Sequence, residues 1–499
     1  MHGAMEVLGA PVGRDAGKIR TMVVEMVRQS DKWFQRLSDN GFVSTQVAVL
    51  LLRFCGLPRL NYLSRTVKPS LTMAGFRVFD NGVRRCFSTI TGVDVAAVAD
   101  QADADTQFQF AQPIRNGGFG FRSYTRASAY AYVASVVWAV TRMSEQMRAR
   151  FIGALKSGSS SPESMCGEFA TQYALVLARC AEGGKIPEHI SSLLKPSAAE
   201  FVEATIKALE SEEGVPKHIQ MKLTHCAEER DLQNHIAGCV AAHKIDDVVR
   251  INSAKAQNAS RWMTVMPDSP EMRIDNSDYT TACRMRLNKP VTGLNESCDK
   301  CVCGRQFSHY SVSDAHHLTL CIKARGSSLF HRHQAVVRAI KDIATRAGAG
   351  VQLNVKRLDL AKDNRQPDLH LTGVGLDLVT DVVVTHTLRA DIRSHSLATK
   401  RSGIAAAQRA AQKDRKYKAV FSQNGGVFKA FALETYGAAD SAAAEVINLL
   451  AKHAEVMCGA DQRQFANWAW NLVSASLQRG NGQALRKAIA HCNARARRI

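Results

Sequence analysis

Residues 365–385 read RQPDLHLTGVGLDLVTDVVVT, and this stretch decides the fold of the C-terminal part of the chain. It contains two β-type runs, at 369–371 and Leu376–Thr385, which flank a turn with Gly373 and Gly375. Apolar runs on either side of a short glycine-containing turn are typical of a β-hairpin. We therefore predict that these two runs pair with each other.

The segments around the hairpin alternate between helical and β-type patterns. Before it we predict a helix at 330–347 with one apolar face, followed by a β-type run at 351–355. After it we predict a polar helix at 404–417 and two β-type runs at 419–422 and 427–435. This alternation predicts an α/β domain.

Two aspartates belong to the predicted hairpin. Asp368 enters its first run and Asp381 lies inside the second, so that pairing of the runs can bring the two carboxylates together. Such a pair can hold Mg²⁺, which activates a water and stabilises charge on a scissile phosphate. On spacing alone, the alternative is a turn aspartate at 368 and a surface aspartate at 381. However, Asp381 lies among valines in a run typical of a buried strand, where an unpaired carboxylate costs several kcal/mol, and a metal or a lysine would compensate it.

The predicted helix at 404–417 supplies candidates for that lysine. Lys413, Lys416 and Tyr417 lie within one or two turns of one another near its end. A lysine beside the metal can orient the nucleophilic water or neutralise charge in the transition state. These three residues and the two aspartates are the candidate catalytic residues.

A cluster of cysteine and histidine precedes this domain. The candidate zinc ligands, of which four are needed, are Cys298, Cys301, Cys303, His317 and Cys321. A tight turn with two cysteines and a His/Cys pair one helical turn apart can supply the tetrahedron that zinc prefers. The opening pair is either Cys298/Cys301 or Cys301/Cys303, and His316 can replace His317. The alternative is a reduced cysteine-rich loop without metal.

Composition and charge set the broad class of protein. The chain has 499 residues, 45% of them hydrophobic and 22% charged, which are ordinary values for globular proteins and argue against wholesale disorder. Its 65 Lys and Arg exceed its 45 Asp and Glu by 20, and such a surplus favours polyanionic partners, nucleic acid first. The longest apolar runs are shorter than the roughly 18 to 20 residues that span a bilayer, so we expect no membrane partner.

The cysteine content and the N-terminal residues indicate the cellular compartment of the protein. The chain has 13 cysteines, an odd number without regular disulfide spacing, which favours reduced thiols and metal ligands. The first 30 residues contain no continuous apolar segment, so we expect no secretory signal. Both features predict a reducing compartment.

The N-terminal two thirds of the chain are predicted to be mainly α-helical. In the first 75 residues, apolar side chains recur at spacings of three and four, which is typical of helices. Residues 116–120, Asn-Gly-Gly-Phe-Gly, predict a loop with backbone freedom. The last 40 residues predict two helical pieces, separated at Gly480-Asn481-Gly482 and ending in a basic segment.

The order of these motifs resembles the C-terminal part of a non-LTR retrotransposon polyprotein of the type with a restriction-enzyme-like endonuclease. Residues 7–13 resemble the segment after a reverse-transcriptase palm, and residues 51–63 resemble the thumb that follows. Residues 117–120 resemble part of the connection, and residues 262–287 resemble the stretch before the zinc knuckle. The residues that fall in the endonuclease order of the family are His333, Pro367, Asp368, Asp381, Lys413, Lys416 and Tyr417.

The resemblance implies five regions along the chain. They are a reverse-transcriptase thumb-like helical segment at 1–75, a helical connection at 76–295, a small zinc knuckle at 296–328, a restriction-endonuclease-like α/β domain at 329–460 and a basic helical tail at 461–499.

The resemblance also implies a function, a Mg²⁺-dependent DNA endonuclease. Such an enzyme nicks the target DNA, and the exposed 3′-hydroxyl primes reverse transcription of the element RNA. Asp368 and Asp381 would hold Mg²⁺ and the knuckle would hold Zn²⁺. The implied partners are target DNA and element RNA, and the implied location is the nucleus, or otherwise a cytoplasmic ribonucleoprotein. The residues expected to contact nucleic acid are His333, Arg365, Arg495, Arg497 and Arg498.

Two departures from the family pattern modify these expectations. The chain contains no Tyr/Phe-Ala-Asp-Asp motif, so we expect no polymerase active site and no reverse transcription by this chain alone. Many nucleases of this fold carry Asp/Glu-x-Lys on the strand, whereas this chain has Asp381-Val382-Val383, so the lysine would come from the helix. The alternative function is a catalytically dead, nucleic-acid-binding remnant of such an element.

Overall fold

The computed structural model describes residues 3–39, 41, 43–97, 101–158, 160–181, 188–210, 218–290, 292–308, 312–325, 328–355, 366–389, 397–423 and 427–497. These residues are mostly helical, with a small mixed sheet in the C-terminal part.

The N-terminal part begins with a two-stranded hairpin and continues in helices. The strands are β1 (Ala4–Val7) and β2 (Ala10–Gly13). The helices are α1 (Ala16–Ser38), α2 (Thr45–Leu51), α3 (Asn61–Thr66), α4 (Pro69–Thr91), α5 (Gln101–Ala111), α6 (Tyr124–Val140), α7 (Glu145–Ser157), α8 (Met165–Cys180), α9 (Glu188–Ser191), α10 (Ala198–Glu210), α11 (Ile219–Ala241), α12 (Ile245–Ala254) and α13 (Asn276–Arg286).

The C-terminal part combines helices with four strands. The helices are α14 (Val312–Leu320), α15 (Ile322–Arg325), α16 (Ser328–Arg346), α17 (Ile404–Gln423), α18 (Ser441–Cys458) and α19 (Gln462–Ala496). The strands are β3 (Gly350–Leu353), β4 (Leu369–Gly373), β5 (Leu376–Thr385) and β6 (Val427–Glu434).

The four C-terminal strands form one sheet in the order β3-β4-β5-β6. The pairs β3/β4 and β4/β5 are antiparallel, whereas β5 and β6 run parallel and are connected through α17. The predicted hairpin around Gly373 and Gly375 is therefore confirmed. Leu369 pairs with Thr380, so Asp368 and Asp381 lie at neighbouring positions on the paired strands.

Three local predictions are wrong. The first is that the start of the chain is entirely helical, because β1 and β2 pair through a two-residue turn in which Leu8 and Gly9 both have positive φ. The second is a strand at 419–422, because these residues complete α17. Phe421 packs beside Tyr417, one helical turn earlier, and both rings contact Phe428 of β6. A short apolar run does not distinguish a buried strand from a buried helical turn.

The third wrong prediction is a break near residue 480, because α19 is one continuous helix. Gly480 and Gly482 let other helices come close rather than ending this one. A Cβ atom at Gly480 would lie 3.0 Å from the Cα of Arg332, and one at Gly482 would lie 2.8 Å from the Cα of Asp278. The helix predicted as a basic tail is consequently buried over much of its length against α13 and α16.

Residues 117–120 form a sharply defined loop at the centre of the helical part. Gly117 and Gly120 have φ values of +81° and +75°, which residues with a side chain rarely adopt. A Cβ atom at Gly118 would lie 2.1 Å from the carbonyl oxygen of Gln112. The loop thus requires glycine both for its backbone conformation and for close packing.

Three buried arginines donate hydrogen bonds to carbonyl groups around this loop. Arg53 donates to the carbonyls of Phe119 and Met263, and Arg286 donates to the carbonyl of Gly118 over 3.0 and 3.3 Å. Arg250, the third, donates to the carbonyl of Arg286. The network joins the segment after α2, the loop, α12 and α13 into one unit.

One stretch of the described chain, Thr45–Thr66, is long and apolar enough to cross a membrane by length and composition, with a mean hydropathy of 1.2. Half of that stretch is buried inside the fold, and a core helix of a soluble protein passes the same test. The finding is therefore weak evidence for a membrane span.

The arginine network predicts the effect of one substitution on stability. We expect Arg286→Met to lower the free energy of unfolding by about 2 to 3 kcal/mol, because the buried carbonyl of Gly118 loses a charged donor. Urea denaturation measures this change. Arg338→Met removes an exposed arginine of α16 and serves as the control. Equal losses in the two variants would contradict a role for the network.

Candidate metal centre and candidate active site

Four of the predicted zinc ligands come together. The ligand atoms of Cys301, Cys303, His317 and Cys321 all lie within 4.8 Å of one another. Cys303 Sγ is 3.3 Å from His317 Nε2, and Cys301 Sγ is 3.7 Å from Cys321 Sγ. A tetrahedron with zinc–sulfur bonds of roughly 2.3 Å has sulfur–sulfur edges of about 3.8 Å. The cluster therefore has the dimensions of a zinc site.

Two local structures position these ligands. Cys301 and Cys303 lie on a tight turn in which the N–H of Gly304, at a φ of +97°, donates to the carbonyl of Cys301 over 2.8 Å. His317 lies in the last turn of α14, and the N–H of Cys321 donates to the carbonyl of His317 over 2.7 Å. A cysteine turn thus faces the end of a helix.

The distances show which of the candidate cysteines and histidines belong to the cluster. The Sγ atom of Cys298 is outside the cluster and contacts the carbonyl of Lys300 at 3.8 Å, so Cys301 and Cys303 form the opening pair. The ring of His316 lies beside that of His386 at 6.1 Å, and His317 is the histidine of the cluster.

The donor groups of the cluster have altered pKa values. Burial and the positive charge of Arg305 lower the pKa of His317, which favours the neutral imidazole that can offer a lone pair. Burial raises the pKa of the Cys301 thiol, whereas at Cys303 burial is outweighed by backbone hydrogen bonds and the neighbouring thiols, which lower the pKa of that thiol. Three thiols and a neutral imidazole are a donor set that zinc accepts.

The Cys₃His cluster predicts that the protein contains zinc, and substitutions can show which cysteines bind it. We expect the purified protein to contain about one zinc ion per chain, measured by elemental analysis. Cys303→Ser should lose most of this zinc, because zinc binds a thiolate far better than a hydroxyl. Cys298→Ser is the matched control and should retain it. Loss of zinc in the Cys298 variant, with retention in the Cys303 variant, would refute the assignment.

The second site forms where β4 and β5 meet α16. Asp368 directly precedes β4, and its Oδ2 accepts the backbone N–H of Val382 over 2.7 Å. The same oxygen is 3.1 Å from Nε2 of His333, which projects from α16. His333 Nε2 is also 3.1 Å from the carbonyl oxygen of Val382. These contacts hold the carboxylate of Asp368 beside the middle of β5.

Asp381 is the buried carboxylate of this site, with 3% of its surface exposed. Burial raises its pKa, and so does the nearby charge of Asp368. Lys413 of α17 forms an ion pair with Asp381 and opposes both effects. The compensating lysine expected from the sequence is therefore present beside this buried aspartate.

His333 lies in the same cluster as the two carboxylates. Burial disfavours its charged form, but the hydrogen bond and the negative charge of Asp368 outweigh burial, and the pKa of His333 is raised. When His333 is protonated, the site has two positive groups for its two carboxylates, an imidazolium beside Asp368 and the ammonium of Lys413 beside Asp381.

Lys416 and Tyr417, the other two candidate catalytic residues on α17, have different surroundings from Lys413. The ring of Tyr417 is buried in a small core with Phe421 and Phe428. The ammonium of Lys416 lies over this ring at 4.7 Å from its centre, and that of Lys413 lies 6.0 Å away. Tyr417 therefore supports the helix that carries both lysines.

The predicted nucleic-acid contacts lie in several places. Arg495 is exposed and donates to the carbonyl of Val302 in the cysteine turn over 2.7 Å, and Arg497 is exposed at the end of the described chain. Arg365 and Arg498 lie outside the residues that the structure describes.

Sequence reasoning missed Glu434, which positions the lysine-bearing helix. Its buried carboxylate accepts the backbone N–H groups of Ala405 and Ala406, over 2.8 and 3.4 Å, at the N-terminus of α17. Burial raises the pKa of Glu434, and these hydrogen bonds oppose the shift. A partial signal was available, because Glu434 ends a largely apolar strand and would need a partner there, as Asp381 does in β5.

Known proteins do not identify either site. The chain matches no protein-family model, and a search of curated proteins finds no match. The arguments for function therefore rest on the two clusters themselves.

Proposed function

We propose that this chain is the C-terminal part of a non-LTR retrotransposon protein, and that its residues 329–460 form a restriction-endonuclease-like domain that nicks DNA. The observation that carries the proposal is the meeting of Asp368, Asp381 and Lys413. The two aspartates belong to one hairpin and Lys413 to the helix that follows it, and Lys413 pairs with one aspartate beside the other.

The arrangement of elements supports this proposal. A helix, three antiparallel strands, a second helix and a parallel strand follow one another from α16 to β6. Both helices bring side chains to the sheet, His333 from α16 and Lys413 from α17.

The residues fit a divalent cation. Asp368 and Asp381 are hard oxygen donors, and the charge of Asp368 raises the pKa of Asp381, so a cation between them would relieve their repulsion. When bound, Mg²⁺ supplies an activated water and stabilises the charge of the scissile phosphate. We assign Asp368 and Asp381 as its ligands.

The other side chains have supporting roles in the proposed reaction. His333 fixes the orientation of Asp368 through its hydrogen bond. Lys413 neutralises Asp381 and, once a cation takes over that task, its ammonium can bind a phosphate oxygen of the DNA. Lys416 adds a second ammonium on the same helix. We propose that the Cys₃His cluster holds zinc and that the basic residues near it, Arg305 and Arg495, grip nucleic acid.

Cellular context follows from the same proposal. Nicking of a chromosomal target requires access to the nucleus, and the element RNA is the second partner. Polymerisation would require a palm domain that carries its own aspartates. We therefore propose endonuclease activity alone for this chain.

A nicking assay tests the proposal. Supercoiled plasmid incubated with the protein and Mg²⁺ should become open-circular, and chelation should stop the reaction. We expect Asp381→Asn to lower the nicking rate on the order of 100-fold or more, the scale of losing one group that stabilises transition-state charge. Asp377→Asn is the matched control, because Asp377 is an exposed aspartate of the same strand, in contact with His370. Nicking that persists in the Asp381 variant would contradict the assignment.

One observation favours the second candidate function, a catalytically dead nucleic-acid-binding remnant. The strand carries Asp381-Val382-Val383, without the lysine that many nucleases of the proposed fold have there. The remnant would bind nucleic acid but cleave none. Its binding should weaken steeply between about 50 and 200 mM salt, because phosphate contacts release counterions. Filter binding across this range, together with the plasmid assay, separates the two functions, since only the nuclease requires Asp381.

A further inference from the structure

A cavity of about 450 Å³ lies between the segment 53–64, the loop 113–122 and helices α6 and α11. It is remote in the chain from both clusters described above, and its size is in the range of roughly 300 to 1,000 Å³ that small-molecule sites occupy. Much of its wall is apolar, with contributions from Leu57, Pro58 and Ile114.

All the charged side chains in the described wall of this cavity are arginines, namely Arg53, Arg115 and Arg122. Arg115 and Arg122 are about half exposed, and both pair with Glu228, over 2.6 and 2.7 Å. Glu228 itself is outside the wall. One carboxylate shared by two guanidinium groups leaves a net positive charge at the cavity.

Arg53 adds a buried positive charge to the same wall. Its side chain is 7% exposed, and its terminal nitrogens donate to two backbone carbonyls. Its Nε is buried and has no hydrogen-bond partner among the described residues. Burial lowers the pKa of Arg53. No carboxylate of the described residues forms an ion pair with Arg53, so its charge adds to the attraction of the cavity for an anion, and Arg115 and Arg122 are the arginines that such an anion would contact.

Two amides provide polar groups on the apolar part of the wall. The Oδ1 of Asn61 accepts the hydroxyl of Tyr124 over 2.7 Å, and the Oε1 of Gln220 accepts the Nε of Arg65 over 3.1 Å. The amide oxygens are thus used within the protein. No hydrogen bond joins their NH₂ groups to the residues that the structure describes, and such donors suit ring nitrogens and carbonyl oxygens on a planar ligand.

We propose that this cavity binds one nucleotide, with its phosphate toward the arginines and its base between the apolar walls. An inorganic anion would leave the apolar wall and the amides unused, and an apolar ligand would leave the charge uncompensated. A nucleotide has an anionic group, a planar apolar body and acceptors on its edge. It comes either as a free nucleoside monophosphate or as an unpaired nucleotide in a single strand. This proposal does not rest on the nuclease function.

Calorimetric titration of the full chain with nucleoside 5′-monophosphates tests the proposal. We expect saturable binding, and weaker binding of both adenosine and ribose 5-phosphate than of AMP. Arg122→Gln should weaken nucleotide binding roughly tenfold, because a charge-assisted hydrogen bond is lost. Arg126→Gln is the matched control, since Arg126 is an equally exposed arginine on α6 that lies outside the wall and pairs with Asp231.

A second variant fills the cavity without changing its charge. Ala127→Phe places a ring in the wall and should abolish binding, with circular dichroism to check that the fold is retained. A short single-stranded oligonucleotide distinguishes the two sources. If the oligonucleotide binds, if Ala127→Phe weakens that binding and if monophosphates do not bind, the site takes a nucleotide from a single strand. If monophosphates bind and the oligonucleotide does not compete with them, the ligand is a free nucleoside monophosphate. The proposal is overturned if neither Arg122→Gln nor Ala127→Phe weakens binding of either probe, or if ribose 5-phosphate binds as tightly as AMP.

Discussion

The fold of the helical part depends on three buried guanidinium groups that satisfy the carbonyls around one glycine loop. Without them the carbonyls of Gly118 and Phe119 would lose charged donors, and a buried acceptor without a partner costs about 1 to 3 kcal/mol. Each arginine comes from a different segment, so the network acts between elements that are far apart in sequence. Its geometry also requires glycine at position 118, because a side chain there would collide with Gln112.

Because of this network, part of the positive charge of the chain is buried and does not lie on the surface. The surplus of 20 suggests an external polyanion, yet Arg53, Arg250 and Arg286 use their donors inside the protein. Net charge counts these residues as if they were on the surface. Arg250 also contacts the side chains of Gln109 and Asp247, but the other partners are backbone carbonyls, which leave no trace in a sequence, so burial of the charge could not be anticipated from composition.

Local pattern was sufficient to predict the hairpin and the need of Asp381 for a partner, but it failed at 419–422, and it could not reveal close contacts between distant helices. The hairpin follows from β-type runs around a glycine turn, and Asp381 could be expected to have a partner because it interrupts a buried strand. The continuity of α19 could not be predicted, because glycines such as Gly480 and Gly482 occur both where a helix breaks and where two helices pack closely. The position of Glu434 indicated that it needs a partner, but that this partner is the first turn of α17, 29 residues earlier, could not be predicted.

In the candidate active site, each of the two carboxylates has a side-chain partner. His333 hydrogen-bonds to Asp368, and Lys413 forms an ion pair with Asp381 in a partly buried place. A cation that binds both aspartates must displace at least part of this pairing, and the released ammonium then needs an anion nearby. In the nuclease that we propose, a DNA phosphate would be that anion, and cation and DNA would each make binding of the other more favourable. Under that proposal, the ion pair between Lys413 and Asp381 would couple binding of the cation to binding of DNA.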